Sequence, residues 1–311
     1  MTLTRRQILA GAAAAMPGVS MASPEDRPPG TLVDAHVHLF AGDPERFPYA
    51  KDAPYTPQPN PLEAYLKFAA AARIDHTVIV HPEPYQDDHR YLEYCLEHEP
   101  SPGFFKGTCL FDPIAAETPA RMEALAKRHP GRIVAIRIHE MHAPGTPSLA
   151  RGPIKDRDMR DPAMRVTWQK AQQLGMAIQM HFLPYYAPRI GELAARFPEV
   201  AVILDHLARG GQGTAAEFNG VLELARYPRV YMKYSGIEYS SKEPFPHRDA
   251  KPLVRRAFDA FGADRMIWGG LGSTTGEFDR QVRQFDEVFD FAGEGDRAKI
   301  RGLNAMKLFR F

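Results

Sequence analysis

The sequence predicts an α/β protein folded as a single (β/α)8 TIM-type barrel. Strand-like and helix-like segments alternate from residue 32 to the C-terminus. Eight such units in roughly 280 residues match the size of one barrel. Histidines recur at the ends of the strand-like segments, where a barrel would collect them on one face. An open doubly wound sheet is the alternative arrangement of the same units.

The strand candidates are Leu32–Phe40, Thr77–His81, Phe104–Phe111, Ile133–His139, Ala177–Phe182, Ala201–His206, Val230–Ser235 and Met266–Trp268. Each is short, apolar and rich in β-branched or aromatic residues. Helices fit Leu62–Arg73, Asp88–His98, Thr118–His129, Pro162–Leu174, Arg189–Arg196, Ala215–Ala225 and Pro252–Phe261, and two more cover about Asp279–Phe289 and Arg297–Leu308. Pro61 suits a first turn, and Gly175 suits a helix end. The long loops 42–60 and 141–161 both follow a strand, so a barrel would place them on its catalytic face.

Composition narrows the function. Of the 311 residues 44% are hydrophobic and 25% charged, ordinary for a globular chain. A net charge of +1 offers no basic field for nucleic acid, which leaves a small molecule as the expected partner. The two cysteines, Cys95 and Cys109, form no CxxC motif, and the sequence leaves a disulfide between them open.

The N-terminus reads as a targeting signal. Thr4-Arg5-Arg6-Gln7-Ile8-Leu9 resembles a twin-arginine motif, an alanine-rich apolar stretch follows, and Ser20-Met21-Ala22 offers a cleavage site. The apolar run is too short for a stable membrane anchor. Residues 1–22 are therefore expected to be a twin-arginine signal peptide, 23–31 a linker and 32–311 the barrel. Export to the periplasm or beyond, with the twin-arginine machinery as a transient partner, is the corresponding expectation.

Asp34-Ala35-His36-Val37-His38 is the strongest motif. Period-two alternation would place Asp34, His36 and His38 on one face, towards the lumen. Two adjacent imidazoles can bind a metal ion or polarise an acyl oxygen; the alternative is a hydrogen-bonded pair in a polar lumen. His81, His139, His181 and His206 end later strands and would converge on the same point.

DAHVH at 34–38, QMHF at 179–182, LDHLAR at 204–209, KYSGIEYSS at 233–241 and GLNAMKLFRF at 302–311 together resemble the amidohydrolase-2 family, in particular its lactonase-like members. The resemblance covers nearly all of residues 31–311. It implies hydrolysis at a carbonyl, often of a lactone, with catalysis by His36, His38, His181 and His206. In metal-dependent relatives His36, His38 and His181 would hold a divalent ion, zinc before manganese; in metal-free ones the same histidines bind or polarise the substrate. Arg137 would pair with a substrate carboxylate, or else form a structural salt bridge. His139 would help bind the substrate, and Lys233 and Tyr234 would offer donors to an oxyanion, with Tyr239, Ser240 and Ser241 extending that wall.

One position departs from the family pattern. The eighth strand of the family ends in an aspartate; alignment puts Leu271 there, and a leucine can neither bind a cation nor accept a proton. Glu140, Asp205 or Glu277 could replace it. The glycine-rich stretch 270–276 could instead bind an anion, with Ser273 among the donors. A metal-dependent decarboxylase and a non-catalytic binding barrel are the alternative readings.

Overall fold

A computed structural model describes residues 30–142, 145, 156–270 and 275–311. The expected signal peptide, most of the linker, and Leu271 and Ser273 lie outside the described residues.

Eight parallel strands form a TIM barrel in sequential order. They are β1 (Val33–Val37), β2 (His76–Val80), β3 (Phe105–Cys109), β4 (Ile133–Glu140), β5 (Ala177–Phe182), β6 (Val202–Leu204), β7 (Val230–Tyr234) and β8 (Met266–Trp268). Helices α1 (Leu62–Ala71), α2 (Arg90–Glu97), α3 (Thr118–Arg128), α4 (Pro162–Leu174), α5 (Ala187–Arg196), α6 (Ala215–Glu223), α7 (Lys251–Phe261) and α8 (Thr275–Val288) follow the strands in turn. The C-terminal segment is α9 (Glu294–Ala298), a π turn (Lys299–Leu303) and α10 (Asn304–Phe309) rather than one helix over Arg297–Leu308.

Two apolar clusters build the molecule. The larger fills the space between strands and helices, and includes Tyr65, Phe105, Trp168, Phe182, Trp268 and Phe285. The smaller one fills the lumen floor: Val33, Ala35, Val78, Ala135, Ala177, Ala201, Ile203 and Ile267 meet there, and Ala305 and Phe309 of α10 plug it from below. Small apolar residues at the N-terminal halves of the strands thus leave the polar residues to the C-terminal mouth.

The first strand corrects an expectation. Val33 and Ala35 face the lumen floor, so Asp34 faces outward, within reach of the Tyr65 hydroxyl (3.4 Å), which also contacts Thr77. A register shift between Asp34 and Val37 then resets the alternation, and His36 and His38 turn into the lumen. Asp34 and the two histidines therefore do not share a face; the bulge, which period-two counting cannot see, separates them. Asp34 instead bolts the barrel seam by accepting from Gly270 N (2.9 Å) and His36 N (3.1 Å). Burial nevertheless raises its pKa to about 6.

Beta strand β6 also ends earlier than expected. After Leu204 the chain enters a turn in which His206, Leu207, Ala208 and Arg209 all have φ between 50° and 54°. Left-handed backbone costs non-glycine residues about 1–2 kcal/mol each, so surrounding packing must hold this turn. Cys95 and Cys109 are both buried free thiols, which answers the disulfide question in the negative.

Candidate active site

A cavity of about 520 Å³ opens at the C-terminal mouth of the barrel. Its lining includes His38, Glu83, Arg137, His181, His206 and Arg209, with Phe40, Tyr55, Pro57, Glu238 and Tyr239. Tyr55 and Pro57 belong to the loop 42–60 expected on this face.

The floor is a buried charge network. Asp205, fully buried, accepts from Arg137 Nε (3.0 Å) and Gln179 Nε2 (2.9 Å), and Lys233 Nζ lies 3.4 Å from its other oxygen. Burial alone would raise its pKa; the Lys233 and Arg137 charges outweigh that and hold the carboxyl well below the usual range. Lys233 also donates to the Ala35 carbonyl (2.9 Å).

Above this floor stand four imidazoles. The His36 and His38 Nε2 atoms are 3.4 Å apart. His38 Nδ1 donates to the Val80 carbonyl (2.7 Å), which leaves Nε2 as an acceptor. His206 lies 4.7 Å from His36 and 5.2 Å from His181 between ring centroids. Ser235 Oγ is 2.9 Å from His206 Nδ1, so the Nε2 edge of that ring faces Arg137 Nη2 (3.4 Å). Burial pushes all four below the ordinary histidine value, His38 to about 4, and the Arg137 charge adds to the effect. The rings are therefore neutral near pH 7.

Arginine 209 was legible only as part of LDHLAR, and its site role was not anticipated. The left-handed turn swings it over Tyr239, with its guanidinium carbon 4.0 Å from the ring centroid, and its Nε donates to His181 Nε2 (3.0 Å). Glu83 was missed altogether. It opens a 3-10 turn (Glu83–Tyr85) after β2, and its carboxylate is 3.5 Å from His139 Nε2. The available signal was an acid two residues beyond the expected strand end at His81.

Several expected residues lie elsewhere. His81 follows β2, which ends at Val80, and points in the opposite phase; it stacks on His89 at 4.3 Å and bonds to the Gln86 carbonyl (2.9 Å), outside the cavity. Tyr234 faces the helices and packs on Phe285 and Phe289, because Lys233 takes the inward position. Lys233 itself lies beneath the cavity, not on its wall. His139 is buried behind His181, edge-on at 5.1 Å. Ser241 bonds to Asp249 and Glu243 in an exposed turn. Among the acids that could replace the missing aspartate, Glu140 faces outward and pairs with Arg189, and Glu277 lies on α8 beside a different, smaller cavity. Asp205 does reach the site, but as the centre of the cationic network.

The expected metal set fits poorly. Among the described residues, groups of three ligand atoms within 4.8 Å are His36, Asp205 and His206, and Glu83, His139 and His181; His36, His38 and His181 form no such group. In the first, Arg137 and Lys233 already neutralise Asp205, and a divalent ion would sit against two fixed positive charges.

A sequential parallel barrel with imidazoles, guanidiniums and carboxylates at its C-terminal mouth defines a small-molecule enzyme of the hydrolase-barrel class. The chain belongs to the amidohydrolase family: the Amidohydro_2 model, described as Amidohydrolase, matches residues 33–311. Within it the chain is a hydrolase of the lactonase-like branch. It is 28% identical over 293 residues to a 4-sulfomuconolactone hydrolase of Hydrogenophaga intermedia, covering 91% of this chain and 89% of that one. It is 26% identical over 296 residues to an L-fucono-1,5-lactonase of Burkholderia ambifaria, covering 89% and 95%. A crystal structure from Pseudomonas putida, described as that of a proposed 2-pyrone-4,6-dicarboxylic acid hydrolase, superposes with a TM-score of 0.72 at 21% identity, covering 90% and 97%. A zinc-bound amidohydrolase of Burkholderia multivorans superposes with a TM-score of 0.68 at 15% identity, covering 91% and 100%. These two structures show the shared fold.

Proposed function

We propose that the protein hydrolyses a lactone bearing an anionic or strongly polar substituent. The observation that carries this reading is the convergence of Arg137 and Arg209 with three neutral imidazoles on one cavity. Neutral rings and fixed guanidiniums suit a carbonyl that gains negative charge during attack. The names of the curated relatives support the same chemistry.

In this reading Arg137 donates to the carbonyl oxygen, and its bond to Asp205 fixes its orientation. His206, aligned by Ser235, and His38, aligned by Val80, flank the carbonyl. Water adds to the carbonyl carbon, the ring C–O bond breaks, and the ring oxygen leaves as a hydroxyl after taking the proton that the attacking water gave up. The water's proton goes to the wall that bears Glu83, since Leu271 offers no acceptor and Asp205 is committed to Arg137 and Lys233. Arg209, stacked on Tyr239, holds the substituent at the cavity mouth.

The test is a panel of sugar lactones and carboxylated or sulfonated lactones, followed by proton release. Turnover of an anionic member, reduced at least about 10²-fold in Glu83→Gln, is expected. Carbon dioxide release without ring opening would instead favour a decarboxylase, and tight binding without turnover a binding protein.

We also propose export by the twin-arginine route, supported by the order of Arg5-Arg6, the apolar stretch and Ser20-Met21-Ala22. Cell fractionation of an Arg5→Lys, Arg6→Lys double variant checks it: retention in the cytoplasm is expected, and unaltered export would refute the route.

A further inference from the structure

A second cavity, of about 250 Å³, lies on the same face of the barrel, between the loop that follows β7 and helix α8. Glu238 lines this space and the catalytic cavity alike, so one exposed side chain stands between the two. The lactone chemistry uses none of its other walls. We propose that this cavity is a subsite for one neutral sugar unit, joined to the lactone ring that the catalytic cavity holds. The substrate is then a glycosylated lactone. That last step rests on the lactone reading; the sugar subsite itself does not.

The size suits part of a ligand rather than a whole one. Complete small-molecule sites run to ~300–1,000 Å³. At about 250 Å³ the second cavity falls just below that range, and the catalytic cavity of about 520 Å³ adjoins it across Glu238. Glu238 is exposed, so a ligand can cross it at the rim without opening the fold.

The wall offers acceptors and donors side by side. Gln284 is 1% exposed; its Nε2 donates to the Pro246 carbonyl (3.3 Å), and its Oε1 is buried with no hydrogen-bond partner. A buried acceptor without a donor is costly, and a ligand hydroxyl seated in the cavity supplies one. His247 Nδ1 donates to the Glu243 carbonyl (2.7 Å), so in the neutral ring Nε2 carries a lone pair. The donors are the Gln281 amide and the Arg280 guanidinium, whose carbon lies 4.6 Å from the Phe245 ring centroid. A hydroxyl both donates and accepts, so a polyol matches both kinds of group. A charged ligand matches neither set. An anion would meet the carboxylates of Glu238 and Glu277, and a cation would meet Arg280.

Binding is read first, without turnover. The protein is titrated by calorimetry with glucose, with lactose and cellobiose, and with methyl β-galactoside and methyl β-glucoside. At least one disaccharide should bind about 10-fold or more tightly than glucose and than its own methyl glycoside, because the second ring adds several neutral hydrogen bonds. Arg280→Ala and Gln281→Ala, both outside the catalytic cavity, should each cut that preference by about 3-fold or more and leave glucose affinity within about 2-fold. Gln284→Met should act in the same direction, with its melting temperature as the check on folding. Turnover comes second, with gluconolactone, lactobionolactone and cellobionolactone. The preferred extended lactone should exceed gluconolactone by about 10-fold or more in kcat/KM, mainly through KM, and Arg280→Ala should abolish most of that advantage.

The outcomes separate the two readings. A disaccharide preference with no turnover of any lactone would sink the lactone reading and leave the sugar subsite standing. Absence of a disaccharide preference overturns the subsite, whether or not gluconolactone is hydrolysed. A methyl glycoside that binds as tightly as its disaccharide marks a site for a separate sugar, and overturns the glycosylated substrate. A preference that survives in both Arg280→Ala and Gln281→Ala puts the second ring elsewhere and overturns the assignment.

Discussion

Arg137 concentrates the chemistry of single residues in this barrel. It is 3% exposed, yet it borders the cavity, so one guanidinium serves a buried carboxylate and the ligand space together. The two readings made from sequence, a substrate contact and a structural salt bridge, are therefore both compatible with its position. Arg137→Ala would leave Asp205 with Lys233 as its remaining cation, and breaking a buried pair costs about 3–5 kcal/mol. Urea unfolding should show that loss. The same variant should lose about 10²-fold in kcat/KM on any lactone that is turned over, the worth of a charge-assisted hydrogen bond to the reacting oxygen. A stability loss with unchanged kcat/KM would leave Arg137 a structural residue alone.

At the scale of elements, the site depends on two irregularities. The bulge in β1 turns His36 and His38 into the lumen, and the left-handed turn after β6 aims His206 and Arg209 at the cavity. The end of β8 supports the first of these. A Cβ on Gly269 would lie 2.6 Å from His36 Cβ and 2.9 Å from His36 N, so only glycine lets the strands approach this closely. Gly269→Ala should therefore displace His36 and destabilise the fold by about 1–3 kcal/mol, the usual cost of overpacking. Chemical denaturation measures it, and a variant as stable as the wild type would show that the seam can widen at no cost. The same substitution at Gly262, where a Cβ meets nothing within 4 Å but φ is +69°, serves as the control for backbone strain without a clash.

For the whole molecule, the buried histidines set the response to acid. His36, His38, His81, His89, His181 and His206 all have folded pKa values below the ordinary one, with burial as the first cause. The unfolded chain then binds more protons than the folded one, so stability is full above about pH 6.5 and falls as the pH drops. For His38 and His81 the window runs down to about pH 4. Asp34 and Glu140 act in the opposite sense: burial raises them to about 6 and about 7, and their contribution declines as the pH rises. The histidines outnumber them, and each contributes about 1.4 kcal/mol per pH unit within its window. The melting temperature should therefore fall steadily from pH 7 to pH 5. A melting temperature that is level or rising over that range would mean that the imidazoles are not buried in the neutral form.

Local pattern determined much of this protein. Alternating apolar runs and helix signals were enough for eight strand–helix units of a barrel's size, because each strand's burial follows from its own residues; Pro162–Leu174 and Ala177–Phe182 are read to the residue, while the sequential order that excludes an open doubly wound sheet came from the structure. The ordered motifs from DAHVH to GLNAMKLFRF were enough for the amidohydrolase family. What only the tertiary structure decided was phase and pairing. A bulge parted Asp34 from His36, the phase of β2 sent His81 outward, and the alternation along β7 gave the inward place to Lys233 and the outward one to Tyr234. Glu83 and Arg209 entered the site through turns whose direction no periodicity encodes. The reason is physical: a strand's burial is a local property, whereas the meeting of Asp205 with Arg137 and Lys233, or of Glu83 with His139, joins residues separated along the chain and exists only once the barrel has brought the strand ends together.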